Sequence, residues 1–168
     1  MNHPKIAIKV KNYGTMTAEL YPEYAPKTVE NFVKLASEGF FAGLIFHRVI
    51  RGFMIQGGGY TASFEDKETA SIRGEFAANG CMKNTLRHTR GVLSMARTSN
   101  PDSASSQFFV MHADAPHLDG QYAGFGKLID GYDVLDKIAT CKTGSMGYYM
   151  QDVPRDTIEI ESIDVLEA

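Results

Sequence analysis

Cysteine occurs only twice in the chain, as Cys81 and Cys141, far apart and outside any paired motif. No disulfide framework is expected; two free thiols point to a reducing compartment. Apolar runs of the roughly 20 residues that a membrane helix requires are missing. The N-terminal Met1-Asn2-His3-Pro4-Lys5 leads straight into a short alternating segment without a signal-type apolar stretch, so a cytoplasmic protein is expected. Positive charge is not in excess either. A net charge of -3 argues against a nucleic-acid protein whose affinity comes from phosphate contacts. Repeats and linkers are absent, and so is tryptophan. What remains is 168 residues with 43% apolar and 22% charged content, neither disordered nor membrane-like. A single domain over residues 1–168, large enough to bury a real core, is expected, as a monomer.

Two patterns run through this chain. Ile6, Ile8 and Val10 alternate with polar residues, as do Met16, Ala18 and Leu20, with Asn12-Tyr13-Gly14 between them, so a β-hairpin is expected. From Pro26 to Glu38 the period changes to that of a helix, with Val29, Phe32, Val33 and Ala36 on one stripe and Gly39 just past the end. A second short helix fits Tyr132–Ala139. Strand patterns recur at 91–95, 107–111 and 123–129. In the tail the alternation of Ile158 and Ile160 with Ile163 and Val165 slips at Glu161-Ser162, the mark of a β-bulge. Residues 57–89 are irregular, with a turn at Asn79-Gly80. Many strands, two helices and no βαβ rhythm imply a mainly β fold, an antiparallel barrel.

The stretch from Phe46 to Gly58 reads as two short strands kinked at Arg51-Gly52. Alternation puts Phe46, Arg48 and Ile50 on one face of the first strand, and Met54 and Gln56 together on the second. Taken alone, Arg48 reads as a side chain laying its stem over apolar surface. A later strand has the same make-up, however: Gln107, Phe109 and Met111 share a face. If the strands are neighbours, that face becomes an apolar pocket with a few converging hydrogen-bond donors, as a small-ligand site requires.

Phe46-His47-Arg48-Val49-Ile50, Phe53-Met54-Ile55-Gln56-Gly57-Gly58, Gly91-Val92-Leu93-Ser94-Met95-Ala96, Ser106-Gln107-Phe108-Phe109 and Leu118-Asp119-Gly120 together resemble, in order, the signature of the cyclophilins, the cyclosporin-type peptidyl-prolyl isomerases. The resemblance covers essentially the whole chain. It implies a closed eight-stranded antiparallel barrel capped by two helices, with a proline site on its outer surface. It implies Arg48 as the catalytic residue; Phe53, Met54, Phe109 and Leu118 as the proline pocket; and Gln56 and Gln107 as groups holding substrate backbone and arginine. Ala96 and Arg97 fall where the family binds the preceding peptide residue through main-chain groups, and Tyr122 stands where a pocket histidine is common. Proline-containing peptides and folding chains are the implied partners, and no cofactor or metal is implied.

Departures from the pattern matter. Before Leu118-Asp119-Gly120 this chain has His117 where many members have the tryptophan associated with tight cyclosporin binding, so weak cyclosporin affinity is expected. Arg51 and Arg97-Thr98 replace smaller or neutral residues, resembling bacterial cytosolic members, and point toward acidic substrates. The run His112-Ala113-Asp114-Ala115-Pro116-His117-Leu118-Asp119 is read as a loop rather than a metal site, because Pro116 breaks any helix face. Gly57-Gly58-Gly59 lacks the Lys-Ser/Thr of a phosphate loop, and no Gly-x-Ser-x-Gly elbow accompanies Ser103, Ser105 or Ser106. The competing reading is a proline-peptide binding scaffold without catalysis. The presence of Arg48, Phe53 and Phe109 favours the enzyme.

Overall fold

A computed structural model describes residues 3–146 and 150–167; residues 1–2, 147–149 and 168, which the single-domain expectation also takes in, lie outside these. The chain begins with the expected hairpin of β1 (Lys5–Val10) and β2 (Gly14–Leu20), with Ile8 opposite Met16. Positive φ at Asn12 and Gly14 makes the turn. Helix α1 (Pro26–Ser37) buries Val29, Phe32, Leu35 and Ala36, while Val33 is only half-buried. Its first turn has no local side-chain cap. Instead the amide and hydroxyl of Thr28 both donate to the buried Glu75 carboxylate, at 2.6 and 2.8 Å. A negative charge is well placed at that end of a helix.

The remaining elements are β3 (Arg48–Ile50), β4 (Met54–Gly57), β5 (Val92–Met95), β6 (Phe108–Met111), β7 (Gly124–Asp130), helix α2 (Tyr132–Ala139), β8 (Thr143–Met146), β9 (Met150–Pro154) and β10 (Ile160–Glu167). Short 3-10 turns occupy Ala77–Asn79 and Pro116–Leu118. Eight strands form one antiparallel sheet in the order β10-β1-β2-β7-β5-β6-β4-β3. Glu161 is skipped in the β1–β10 register, where Lys9 faces Ser162 and Val10 faces Ile160; this is the expected bulge. The antiparallel pair β8–β9 forms a second, two-stranded sheet, with β9 beside β3, and does not follow from the sequence pattern because its residues alternate poorly. No helix among the described residues is long and apolar enough to cross a membrane.

Two expectations need correction. The barrel does not close by a ladder. Among the described residues no ladder joins the end strands β3 and β10; the segment before β3 meets the start of β10 and the residues before it through an isolated Ile45–Glu159 bridge and bonds from Gly43 N–H to Ile160 O, Ile160 N–H to Leu44 O and Phe46 N–H to Ile158 O, at 2.7–2.9 Å. The sheet is a curled half-barrel. The second correction concerns Phe46. Phe46 does not share a face with Arg48 but turns inward, fully buried, with its ring edge-on to Phe108. Regular strand geometry starts only at Arg48, so the alternation is broken at His47.

Inside the curl a core of Ile6, Ile8, Met16, Leu20, Phe46, Phe108 and Phe125 is covered by the apolar stripes of both helices. Phe32 of α1 meets Phe41, Phe108 and Phe125 with ring centroids 4.9–5.3 Å apart. Gly57, at the end of β4, lies so close to the closing segment that a Cβ would sit 2.7 Å from the Ile45 carbonyl oxygen. Gly57→Ala is therefore expected to lower stability by about 1–3 kcal/mol, the range for overpacking, in urea unfolding; an unchanged midpoint would show that the closing segment yields freely.

Candidate active site

On β4, β6 and β5 the two-residue period sends alternate side chains to opposite sides. Ile55, Phe108, Val110, Leu93 and Met95 join the interior core, while Met54, Phe109, Met111 and Val92 join a second cluster on the outer face, with Ala115, Leu118, Ile50, Phe53, Leu86, Ala96 and Tyr122. Both faces are covered, and every residue of β5 and β6 is buried. The ladder sets Gln56 and Ser94 on either side of Phe109 and pairs Met54 with Met111.

This outer cluster forms a cavity of about 130 Å³ lined by Arg48, Phe53, Met54, Gln56, Ala96, Arg97, Phe109, Leu118 and Tyr122. Its scale suits one small ring rather than a drug-sized ligand. Gln107 lines an adjoining cavity with Gln56, Ala96 and Arg97. All the residues named from the sequence are thus brought together. Arg48, opposite Gln56 on the β3–β4 ladder, is exposed and donates from Nη1 to Gln56 Oε1 at 3.3 Å; Gln56 Nε2 donates in turn to Gln107 Oε1 at 3.0 Å. The chain of amides aims the guanidinium without neutralising it. The ring of Phe53 stacks on His117, and Tyr122 stands edge-on to Phe109.

Arg97 is used differently. Its guanidinium lies between the rings of Phe76 and Tyr122, 4.8 and 4.6 Å from their centroids, and donates to the carbonyls of Gln121 and Thr98. This clamps the Tyr122 segment against β5's exit. The Ala96 N–H is engaged by the Gln107 carbonyl at 3.0 Å. Of the main-chain groups there, that leaves the Ala96 carbonyl and the Arg97 amide for a ligand.

Polar residues beneath the pocket escaped the sequence reading. Fully buried His88 lies with Nε2 2.8 Å from Ser94 Oγ and Nδ1 3.1 Å from Asp119 Oδ1, and its main-chain N–H also donates to Asp119. Its ring stacks on Phe109. Burial pushes this imidazole below its ordinary range, with Asp119 opposing. The one local signal was Ser94, a hydroxyl inside an apolar strand. The residues of the His112–Asp119 run serve distinct partners: His112 bonds the Gly52 amide, Asp114 accepts from Arg90 N–H, His117 stacks on Phe53 and Asp119 holds His88.

The family model for "Cyclophilin type peptidyl-prolyl cis-trans isomerase/CLD" matches residues 5–165. The chain belongs to the cyclophilin family. It is 46% identical over 159 residues to a peptidyl-prolyl cis-trans isomerase of Acinetobacter baylyi, covering 92% of this chain and 81% of that one. It is 42% identical to peptidyl-prolyl cis-trans isomerase B of Escherichia coli, covering 93% and 96%. Among solved structures, a cyclophilin type isomerase from Cryptosporidium parvum superposes with a TM-score of 0.79 at 31% identity, over 99% of each chain. The same protein in the presence of the dipeptide Ala-Pro gives 0.77 at 32%, over 98% of this chain and 99% of that one. The protein is a peptidyl-prolyl cis-trans isomerase.

Next to Arg48 in this isomerase sits His47, buried, edge-on to Tyr60. Burial, with a smaller contribution from the Arg48 charge, lowers its pKa from the ordinary 6.5 to about 4. The folded protein therefore resists a proton that the unfolded chain accepts. The stability from this group is intact above about pH 6.5 and declines as pH falls to about 4, by about 3 kcal/mol in all. Urea titrations at pH 7 and pH 4 should show wild type losing about 3 kcal/mol more than His47→Gln; equal losses would mean His47 is protonated in the native state.

Proposed function

We propose that Arg48 lowers the barrier to rotation about X-Pro bonds while Phe53, Met54, Phe109 and Leu118 hold the proline ring. The observation that carries this reading is one exposed guanidinium, steered by Gln56 and Gln107, at the mouth of a small apolar cavity. Amide resonance gives the bond a barrier of about 18–20 kcal/mol, and rotation breaks no covalent bond. What accelerates it is a donor that interacts with the prolyl nitrogen once its lone pair is localised, because the twisted state then binds better than either planar state. Arginine suits this task, since it stays charged when partly desolvated. Tyr122 completes the pocket wall, Gln56 and Gln107 also hold the peptide backbone, and the Ala96 carbonyl with the Arg97 amide takes the residue before proline.

Proline-containing peptides and chains halted at slow prolyl steps are the proposed substrates, so the enzyme assists protein folding. The structure of the Cryptosporidium parvum relative in the presence of Ala-Pro supports this substrate class. We infer a monomer working as one domain. A reducing cytoplasmic compartment fits Cys81 and Cys141, which are both free. Exposed Arg51 beside the pocket favours substrates with acidic residues.

Arg48→Ala is expected to lower kcat/KM on an Ala-Pro peptide by about 10²-fold, the cost of one transition-state donor, with peptide affinity little changed. Line-shape or exchange NMR reads both quantities. Retention of the wild-type rate would refute the role of Arg48, and a scaffold would bind peptide with no acceleration in either form. Cyclosporin is expected to bind weakly because His117 offers a smaller ring than an indole. His117→Trp should tighten it by about ten-fold or more, through added apolar area and an N–H donor, as read by calorimetric titration. Nanomolar affinity of the wild type would sink that expectation.

A further inference from the structure

The turn Arg51-Gly52-Phe53 joins β3 to β4 and carries Phe53 into the cavity, with Arg48 just upstream and Met54 just downstream. β3 is an edge strand whose only ladder neighbour among the described residues is β4, so whatever holds the tip of this hairpin bears on the site. The tip is held by His112, which follows β6. The His112 main-chain N–H donates to the Phe53 carbonyl at 2.9 Å, and its ring Nδ1 accepts from the Gly52 N–H at 2.8 Å. On the far side Nε2 lies 3.1 Å from Asp136 Oδ1 on α2. Arg90 grips the same carboxylate through both terminal nitrogens, at 2.8 and 3.0 Å, and also donates to the His112 carbonyl. Only a bare nitrogen can accept from an amide. Nδ1 is therefore unprotonated, and Nε2 carries the proton directed at Asp136.

We propose that His112 is a positioning residue for the isomerase: its neutral Nε2–H form, oriented by Asp136, fixes the Gly52 amide and hence Phe53 and Arg48, and a second proton on Nδ1 releases the turn. The inference rests on the roles proposed for Phe53 and Arg48. Protonation replaces an acceptor with a donor facing another donor, so the Gly52 bond is lost and replaced by a repulsive contact. Of the charged groups, Asp136 from α2 bonds the ring, Arg90 from the segment before β5 bonds that carboxylate and the His112 carbonyl, Asp114 accepts from the Arg90 N–H, and Arg51 is the residue before Gly52 in the turn. Hydrogen bonding from Arg90 holds the Asp136 carboxyl below the usual carboxylate range, so the carboxylate remains an acceptor throughout mildly acid conditions. His112 is only 15% exposed, and water offers a poor substitute for the lost bond.

The test is a series from about pH 8 to pH 5. It follows kcat/KM on an Ala-Pro peptide and the Gly52 amide resonance. Wild type is expected to lose about ten-fold in kcat/KM toward the acid end, within the ~10²-fold that about 1 Å of misplacement can cost, with the Gly52 amide proton shifting in step. His112→Leu, which has no acceptor, should be about ten-fold slow at every pH. His112→Asn sets a carbonyl oxygen near the position of Nδ1 and takes up no proton, so it should recover much of that rate and lose the acid limb. An acid limb persisting in His112→Asn overturns the proposal, even if His112→Leu fails to fold. So does a Gly52 amide that titrates while kcat/KM stays flat. The amide readout needs no assumption about Arg48 or Phe53, whose roles the Arg48→Ala comparison tests separately.

Discussion

The pleat of three adjacent strands couples the core of this enzyme to its candidate site. On β6, Phe108 points into the core and Phe109 into the outer cluster. A shift of one residue in the β4–β6 or β5–β6 register would exchange the two sets of side chains. Interior packing therefore sets the position of the pocket. The floor of the pocket is buried on both sides, and its main-chain groups are engaged in ladders to β4 and β5. A pocket built this way needs no ligand to form it.

Charge is distributed with equal economy. Arg48 stays at the surface, joined to Gln56 by a long bond and to no carboxylate among the described residues, so its charge is available at the cavity mouth. The groups buried nearby avoid competing fields. His47 is held neutral to about pH 4, and His88 is kept low by burial and bonded on both ring nitrogens. Arg97 shows the other use of a guanidinium: set over the rings of Phe76 and Tyr122 and donating to two carbonyls, it fastens one wall of the pocket. The two residues share a side-chain type but sit in different surroundings, and the surroundings assign the work.

The readable parts of the sequence were those whose periodicity is local. The first hairpin, both helices and the bulge at Glu161 repeat a two- or 3.6-residue rhythm within a few residues. The shared face of Gln107, Phe109 and Met111 follows from the same rule, and the family signature joined it to Arg48. Local rhythm failed at Phe46, where tertiary packing draws the ring inward and strand geometry begins only two residues later. It failed for the β8–β9 pair, whose residues barely alternate. It had no access to His88 with Asp119 or His112 with Asp136, partners 31 and 24 residues apart, because such pairs leave no local pattern. A closed barrel was likewise too simple a picture: the family's strand count was present, but the closing segments at 43–46 and 158–160 meet through one isolated bridge and three main-chain bonds rather than a ladder.

The division between a buried floor and a lightly held rim suits the proposed chemistry. Rotation about a prolyl bond requires that the ring be fixed while the rest of the peptide turns, so one part of the site must be rigid and another open. Met54 and Phe109 lie on the doubly covered strands, 2% and 5% exposed. Arg48 lies on a three-residue edge strand that forms a ladder with β4 alone among the described residues and has β9 packed beside it. Exposed edges invite pairing with other chains; here the edge strand is short and begins with a charge, which blunts that hazard while leaving the guanidinium free to follow a moving nitrogen. The cost is that an edge strand borrows its precision from whatever braces its turn. For β3 that brace is His112, through its main-chain N–H on the Phe53 carbonyl and its imidazole between the Gly52 amide and the Asp136 carboxylate.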